Sequence, residues 1–109
     1  MQIYSWDDIP ISEVRPGARG RTIKGEKVSI SYFDMDPGTE APLHDHDNEQ
    51  INYVLEGELQ FKSGEETVIL KAGQVVVFPP WEPHQVSNVS TKMAKNLGVL
   101  SPPRHGDPK

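Results

Sequence analysis

His44 and His46 stand two residues apart, and in an extended strand residues i and i+2 point to the same face. Two imidazoles on one face make half of a site for a first-row divalent metal. Gln50 and His84 are the side chains that could complete it, with imidazole nitrogen from the three histidines and a carbonyl oxygen from Gln50. Zn, Ni, Fe and Mn all suit such a mixed nitrogen and oxygen set, so one divalent ion of this group is expected. Of the 4 histidines in the chain, only His105 lies outside these two segments, in a Pro-rich tail, where solvent exposure is expected.

The residues around the histidines make the pattern more specific. Gly38, His44, His46, Gln50 and Gly57 occur in the order and spacing of the first cupin motif, with Gln50 where Glu is usual. Gly73, Pro79, His84 and Asn88 follow the second motif, with Trp81 where a Gly is usual. Fifteen residues separate Gly57 from Gly73, enough for one short strand pair. Over residues 21–101 the chain therefore resembles the cupin superfamily. The resemblance implies an all-β fold: a conical jelly-roll barrel, or double-stranded β-helix.

Glu49 and Gln50 are neighbours on one predicted strand and must point to opposite faces, so only one of them can reach the ion. Gln50 lies six residues after His44, where cupins that use Gln place it, and is the favoured ligand. A Glu ligand would leave a divalent site at charge +1, whereas Gln leaves it at +2. The ion is then the stronger Lewis acid, attracts anionic substrates, and is held less tightly. It also suits high-valent iron less well, which weighs against oxygenase chemistry.

The run from His44 to Gly57 and the C-terminal segment from Gly98 to Arg104 are similar to the small single-domain cupins of pectin and alginate degradation. Those promote ketonisation of unsaturated monouronates. The resemblance implies that Arg104 serves the active site. The same cupins carry an acidic residue in the last strand, at the position of Gly98, so a proton-transfer group is absent or supplied elsewhere. Arg21, in the first barrel strand, is a second candidate to clamp a carboxylate. Tyr53, Asn52 and Tyr32 are candidates for hydroxyl or amide contacts, and Trp81 for a wall at the mouth. Three readings follow. One is a metal-dependent isomerase or lyase acting on a small, anionic hydroxy or keto acid of uronate type. The others are an Fe- or Mn-dependent dioxygenase and a non-catalytic small-molecule-binding domain.

The elements that must position these residues are short strands. Lys27–Met35 alternates, with Val28, Ile30 and Tyr32 on one face and Ser29, Ser31 and Phe33 on the other. Leu43–Asp47 and Gln50–Glu56 read as strands flanking a kink. Leu59–Lys62 and Thr67–Leu70 read as a hairpin around Gly64. Val75–Phe78 is a continuous apolar run, predicted to be a buried strand. His84–Val89 and Lys95–Leu100 close the barrel. Residues 1–20 are expected to form an N-terminal arm with a capped helical turn, and 102–109 a tail.

Composition narrows the partners. The net charge of -5, without a basic stripe, makes nucleic acid a poor partner. No apolar run approaches the roughly 20 residues of a membrane helix. The N-terminus lacks a signal-peptide pattern, and there is no Cys, which excludes disulfides and fits a cytoplasmic location. Trp6, Ile9 and Ile11 on the arm would expose apolar surface in a monomer, so a homodimer is expected.

Overall fold

The computed structural model describes residues 1–104. His105, expected to be solvent-exposed, and residues 106–109 of the tail lie outside the described residues. A single 3-10 turn (Trp6–Asp8) precedes nine strands. These are β1 (Ser12–Arg15), β2 (Ala18–Lys24), β3 (Ser29–Met35), β4 (Glu49–Glu56), β5 (Glu58–Ser63), β6 (Glu66–Lys71), β7 (Val75–Phe78), β8 (Gln85–Ser87) and β9 (Ala94–Ser101). They form two antiparallel sheets, one ordered β1-β2-β3-β9-β4-β7 and one ordered β6-β5-β8. The all-β barrel expected from the motifs is thus observed. The sheet begins earlier than residue 21, because β1 and the start of β2 pair within it.

Turn chemistry follows the sequence. Gly64 takes φ 59° in the two-residue loop joining β5 to β6, where Ser63 pairs with Glu66. A side chain is disfavoured at such a φ, and Gly is not. Ser5, the residue before the 3-10 turn, makes no side-chain capping bond.

The space between the sheets divides into two ends. At one end Val54, Leu59, Phe61, Phe78 and Ala94 form a small apolar core. At the other, polar side chains join apolar ones: Ser29 and Ser31 from β3, Gln50 and Asn52 from β4 and Asn96 from β9 point inward near Phe33, and Ala18 and Met35 of the core cluster also line the space. Along β4 alone the inward set changes from Gln50 and Asn52 to Val54 within two pleats.

The outward face of the six-stranded sheet has the opposite character. One row of paired residues runs Ile23, Ile30, Val99, Ile51, Val77 across β2, β3, β9, β4 and β7. The next runs Tyr32, Leu97, Tyr53, Val75, with Arg21 at its β2 end. The alternation expected for β3 is observed, and one expectation, for β7, is corrected. In β3 the serines are buried, while Ile30 and Tyr32 face outward and are partly exposed. In β7 the apolar run is not buried throughout: Val75 and Val77 are each 51% exposed, and only Phe78 is buried. Apolar residues on both sides of a strand mimic the pattern of a strand buried on both faces.

Candidate metal centre

The first two histidines do not lie on a strand. Residues 41–48 are irregular, and the only pairing there is an isolated bridge between His44 and His84. In it the His44 N–H donates to the His84 carbonyl at 3.1 Å, and the His84 N–H to the His44 carbonyl at 2.9 Å. Nearby, the Trp81 N–H donates to the His46 carbonyl at 2.8 Å. Backbone bonds between the two motif segments, rather than a pleat, bring the rings together. Ring centroids lie 5.3 Å apart for His44 and His46, 4.4 Å for His44 and His84, and 5.0 Å for His46 and His84. One ligand atom from each ring lies within 4.8 Å of the others.

Gln50 joins this cluster from β4. Its Oε1 is 3.0 Å from His46 Nε2 and 3.1 Å from His84 Nε2. Glu49 is exposed on the other side of the strand. The geometry therefore places Gln50, not its neighbour, among the histidines.

The hydrogen-bond inventory tests whether these residues fit a cation. Nδ1 of each ring faces a backbone carbonyl: His44 that of Pro42 at 3.0 Å, His46 that of Asn48 at 3.1 Å, His84 that of Glu82 at 2.8 Å. Carbonyls only accept, so in each ring Nδ1 must carry the hydrogen and Nε2 of the neutral ring presents a lone pair. The Gln50 amide nitrogen is committed too, donating to Asn52 Oδ1 at 2.6 Å, so its oxygen is what faces the rings. Lone pairs on His46, His84 and Gln50 thus converge with no hydrogen between them. Such a set is mutually repulsive unless it shares a positive centre. A proton is a poor one, because burial pushes the His84 pKa below its usual value, despite the bond to the Glu82 carbonyl. The donor set fits a divalent metal ion.

The surrounding chain fixes the set. His84 is buried and stacks on Phe78, with centroids 4.5 Å apart and planes 14° apart. Asn52 passes the Gln50 bond on, its Nδ2 donating to Asn96 Oδ1 at 2.9 Å. Asn88 of the second motif is buried and structural: its Nδ2 donates to the carbonyls of Met35 and Lys92, and its Oδ1 accepts from Ser90. Trp81 is 64% exposed, with φ 68°, and touches the site only through its backbone bond to His46.

A cavity of about 80 Å³ opens beside the cluster, lined in part by His44, Gln50, Asn52, Asn96 and Phe33. Arg104 reaches into it. The Arg104 N–H donates to Ser29 Oγ at 2.9 Å, and its guanidinium lies 5.4 Å from the Phe33 ring centre. Its Nε is buried without a hydrogen-bond partner among the described residues. Burial, and then the charge of Arg15 on the same cavity, push the Arg104 pKa down. Gly98 faces inward, and a Cβ there would come within 3.2 Å of the Phe33 ring. The aromatic ring fills the room an acidic side chain would take.

Two candidates lie elsewhere. Arg21 points outward, its guanidinium 4.9 Å from the Tyr32 ring centre and bonded to the Trp6 carbonyl at 3.2 Å. Tyr53 is 42% exposed on the same outer face. Both belong to strand positions whose parity turns them from the cavity, as does Tyr32. Arg15 and Asn96 were not singled out by sequence. Arg15 sits where β1 bulges against β2, and no side-chain pattern announces that shift of register. Asn96 could have been found from the alternation Ala94, Asn96, Gly98, Leu100, which places an amide on the inner face.

Among solved structures, an RmlC-like cupin from Shewanella frigidimarina superimposes with a TM-score of 0.87 at 22% identity, covering 96% of this chain and 94% of that one. KdgF from Halomonas sp. also gives 0.87, at 21% identity, covering 94% and 96%. At that identity both show the fold alone. An uncharacterized protein of Methanocaldococcus jannaschii is 32% identical over 81 residues, 73% of this chain; the match spans 65% of that relative's length. No helix among the described residues is long and apolar enough to cross a membrane. The cupin domain model matches residues 31–100, most of the barrel including every residue of the histidine cluster, and the chain belongs to the cupin family.

Proposed function

We propose that the protein is a metal-dependent isomerase or lyase acting on a small anionic hydroxy or keto acid of uronate type. The observation that carries this reading is Arg104, whose Nε has no hydrogen-bond partner among the described residues, lining the same cavity as His44 and Gln50. A divalent ion held by His44, His46, Gln50 and His84 would act there as a Lewis acid on a substrate oxygen. Arg104, with Arg15 beside it, would hold the substrate carboxylate, since a partly buried guanidinium with no carboxylate paired to it among the described residues favours an anion. Phe33 shapes the wall, and the Asn52 and Asn96 amides are placed to orient hydroxyl groups. The structural likeness to KdgF supports a cupin scaffold of this size.

One observation favours a second reading, a non-catalytic binding domain. The residues lining the cavity include no Asp or Glu, and Gly98 leaves no acid on the last strand. A base to move a proton is therefore not supplied by a carboxylate of the lining. A dioxygenase is less well supported, because neutral Gln50 does little to stabilise high-valent iron.

Metal content should be measured on protein purified with and without oxygen, for the wild type and for His44→Ala and His84→Ala. A stoichiometry near one ion per chain, falling severalfold in both variants, is expected. Unsaturated monouronates and short keto acids should then be followed by NMR for turnover and by calorimetry for binding. Turnover supports the enzyme, and binding without turnover the second reading. Equal metal content in all three proteins would remove the basis of both.

A further inference from the structure

Val14 and Arg15 both line the cavity beside the metal centre. Neighbours on a regular strand point to opposite faces, so only one of the two should reach it. The bulge between β1 and β2 is the cause. Glu13 pairs with Arg19 but Arg15 with Ala18, which leaves one extra residue on β1. A bulge of this kind re-aims the side chain beside it. On an unbroken strand Arg15 would share the outer face with Glu13. Here it stands opposite Ala18, which is buried on the inner face. The loop that follows holds the register. Pro16 and Gly17, with Gly17 at φ 86°, are the Pro-Gly pair of a type II turn between Arg15 and Ala18.

The re-aimed guanidinium meets no counter-charge from the chain. Arg15 takes part in no salt bridge among the described residues. Glu13 stays on the outer face opposite Arg19, and Arg19 also takes Asp36, at 2.9 Å. The described lining of the cavity includes no Asp or Glu, but it does include Arg104, whose guanidinium feels the charge of Arg15. Two like charges on one partly buried cavity repel, and an anion shared between them offsets the repulsion.

We infer that Arg15 is a specificity-determining residue, and that the ligand is a hydroxy or keto acid with two carboxylates, one held by Arg104 and the other by Arg15. The inference rests on the proposed function for the metal ion and Arg104, and adds a second anionic group to the ligand. Charge is the reason. Three neutral imidazoles and the Gln50 amide leave a divalent ion its full charge, and the two guanidiniums add theirs. A single carboxylate on Arg104 leaves Arg15 without an anion. A second one gives each guanidinium its own charge-assisted pair.

Two acids that differ only at the far end of the same carbon chain isolate this contact. Malate ends in a carboxylate and 2-hydroxybutyrate in a methyl group. Both are short, as a cavity of about 80 Å³ requires of the part of a ligand it holds. Their dissociation constants should be measured by calorimetry on the zinc-loaded full chain. The wild type should bind malate more tightly by about tenfold or more. Arg15→Gln should bring the two acids to similar affinity by weakening malate alone. Arg15→Lys, which keeps the charge, should retain part of the preference. Arg104→Gln should weaken both acids. Equal binding of the two acids by the wild type, or a preference unchanged in Arg15→Gln, overturns this inference and leaves the proposed function standing. Binding of neither acid overturns both.

Discussion

Gln50 presents oxygen to the histidines because its nitrogen is already occupied by Asn52, which is in turn held by Asn96. The orientation of one amide thus depends on two others buried behind it. Asn52→Leu would free the Gln50 amide to rotate, and metal affinity by calorimetry should fall by roughly 10- to 100-fold with the fold intact. Gln50→Glu should do the opposite and bind the ion more tightly, because the site charge drops from +2 to +1. Glu49→Gln, outside the cluster, should leave affinity unchanged. Weakened binding in Glu49→Gln with no change in Gln50→Glu would transfer the ligand role to Glu49. The third prediction at this scale concerns protons. His84 has its pKa lowered by burial, so in the folded protein it resists the proton that the unfolded chain takes up near pH 6.5. Its contribution to stability is present above that value and is lost as pH falls through the lowered folded pKa. Urea midpoints of the metal-free protein should fall from neutral pH into the acid range, and less so in His84→Asn. Equal slopes in the two proteins would count against the burial argument. The four clustered residues were legible from the match to the two motifs, although His44 and His46 meet in an irregular segment and not by the parity of a strand. The amide relay was not, because it joins residues 44 positions apart whose contact only the β4 and β9 pairing creates.

Among the elements, the loop between β7 and β8 carries the departure from the motif. Trp81 adopts φ 68° where cupins usually have Gly. A left-handed backbone costs an L-residue about 1–2 kcal/mol, part of which Gly would give back through its freer unfolded chain. The side chain is 64% exposed and loses little packing if removed. Trp81→Gly should therefore raise stability by about 0.5–1 kcal/mol, and Trp81→Val should lower it. A loss in Trp81→Gly, read from denaturant midpoints, would mean that the indole makes a contact worth more than the strain. Strand positions were mostly legible because turn glycines bracket them. Which side of a strand is inside was harder to read. For β3 and β7 the apolar residues marked the outside, and parity alone cannot tell a lining of serines from a solvated face.

At the scale of the whole molecule, core and cavity adjoin, since Ala18 and Met35 belong to both and Phe78 stacks on His84, while Leu59 and Val54 line only the core. The core is small: Leu59 and Val54 are the largest fully buried apolar side chains. Losses at Leu59 or Val54 should unfold the protein before they touch ligand affinity, whereas Asn52 and Arg104 should show the reverse. The barrel itself was legible because the two cupin motifs supply its turns and cluster together. The outer apolar rows became visible only once the register aligned residues from five strands, and no local pattern contains that alignment.

A central place in the large sheet belongs to β9, the last strand among the described residues. It lies between β3 and β4, with Leu100 opposite Ser29 on one side and Gln50 on the other. During synthesis the first half of the sheet must therefore wait with an open edge on both β3 and β4 until residue 101 has cleared the ribosome. Pairings this distant in sequence make folding slow, on the scale of milliseconds to seconds. In that interval the exposed edges are a hazard for association between nascent chains. A chain ending at Met93 should remain unfolded and aggregate. Adding a peptide of residues 94–104 in excess should restore the sheet, as read by the return of β-type circular dichroism.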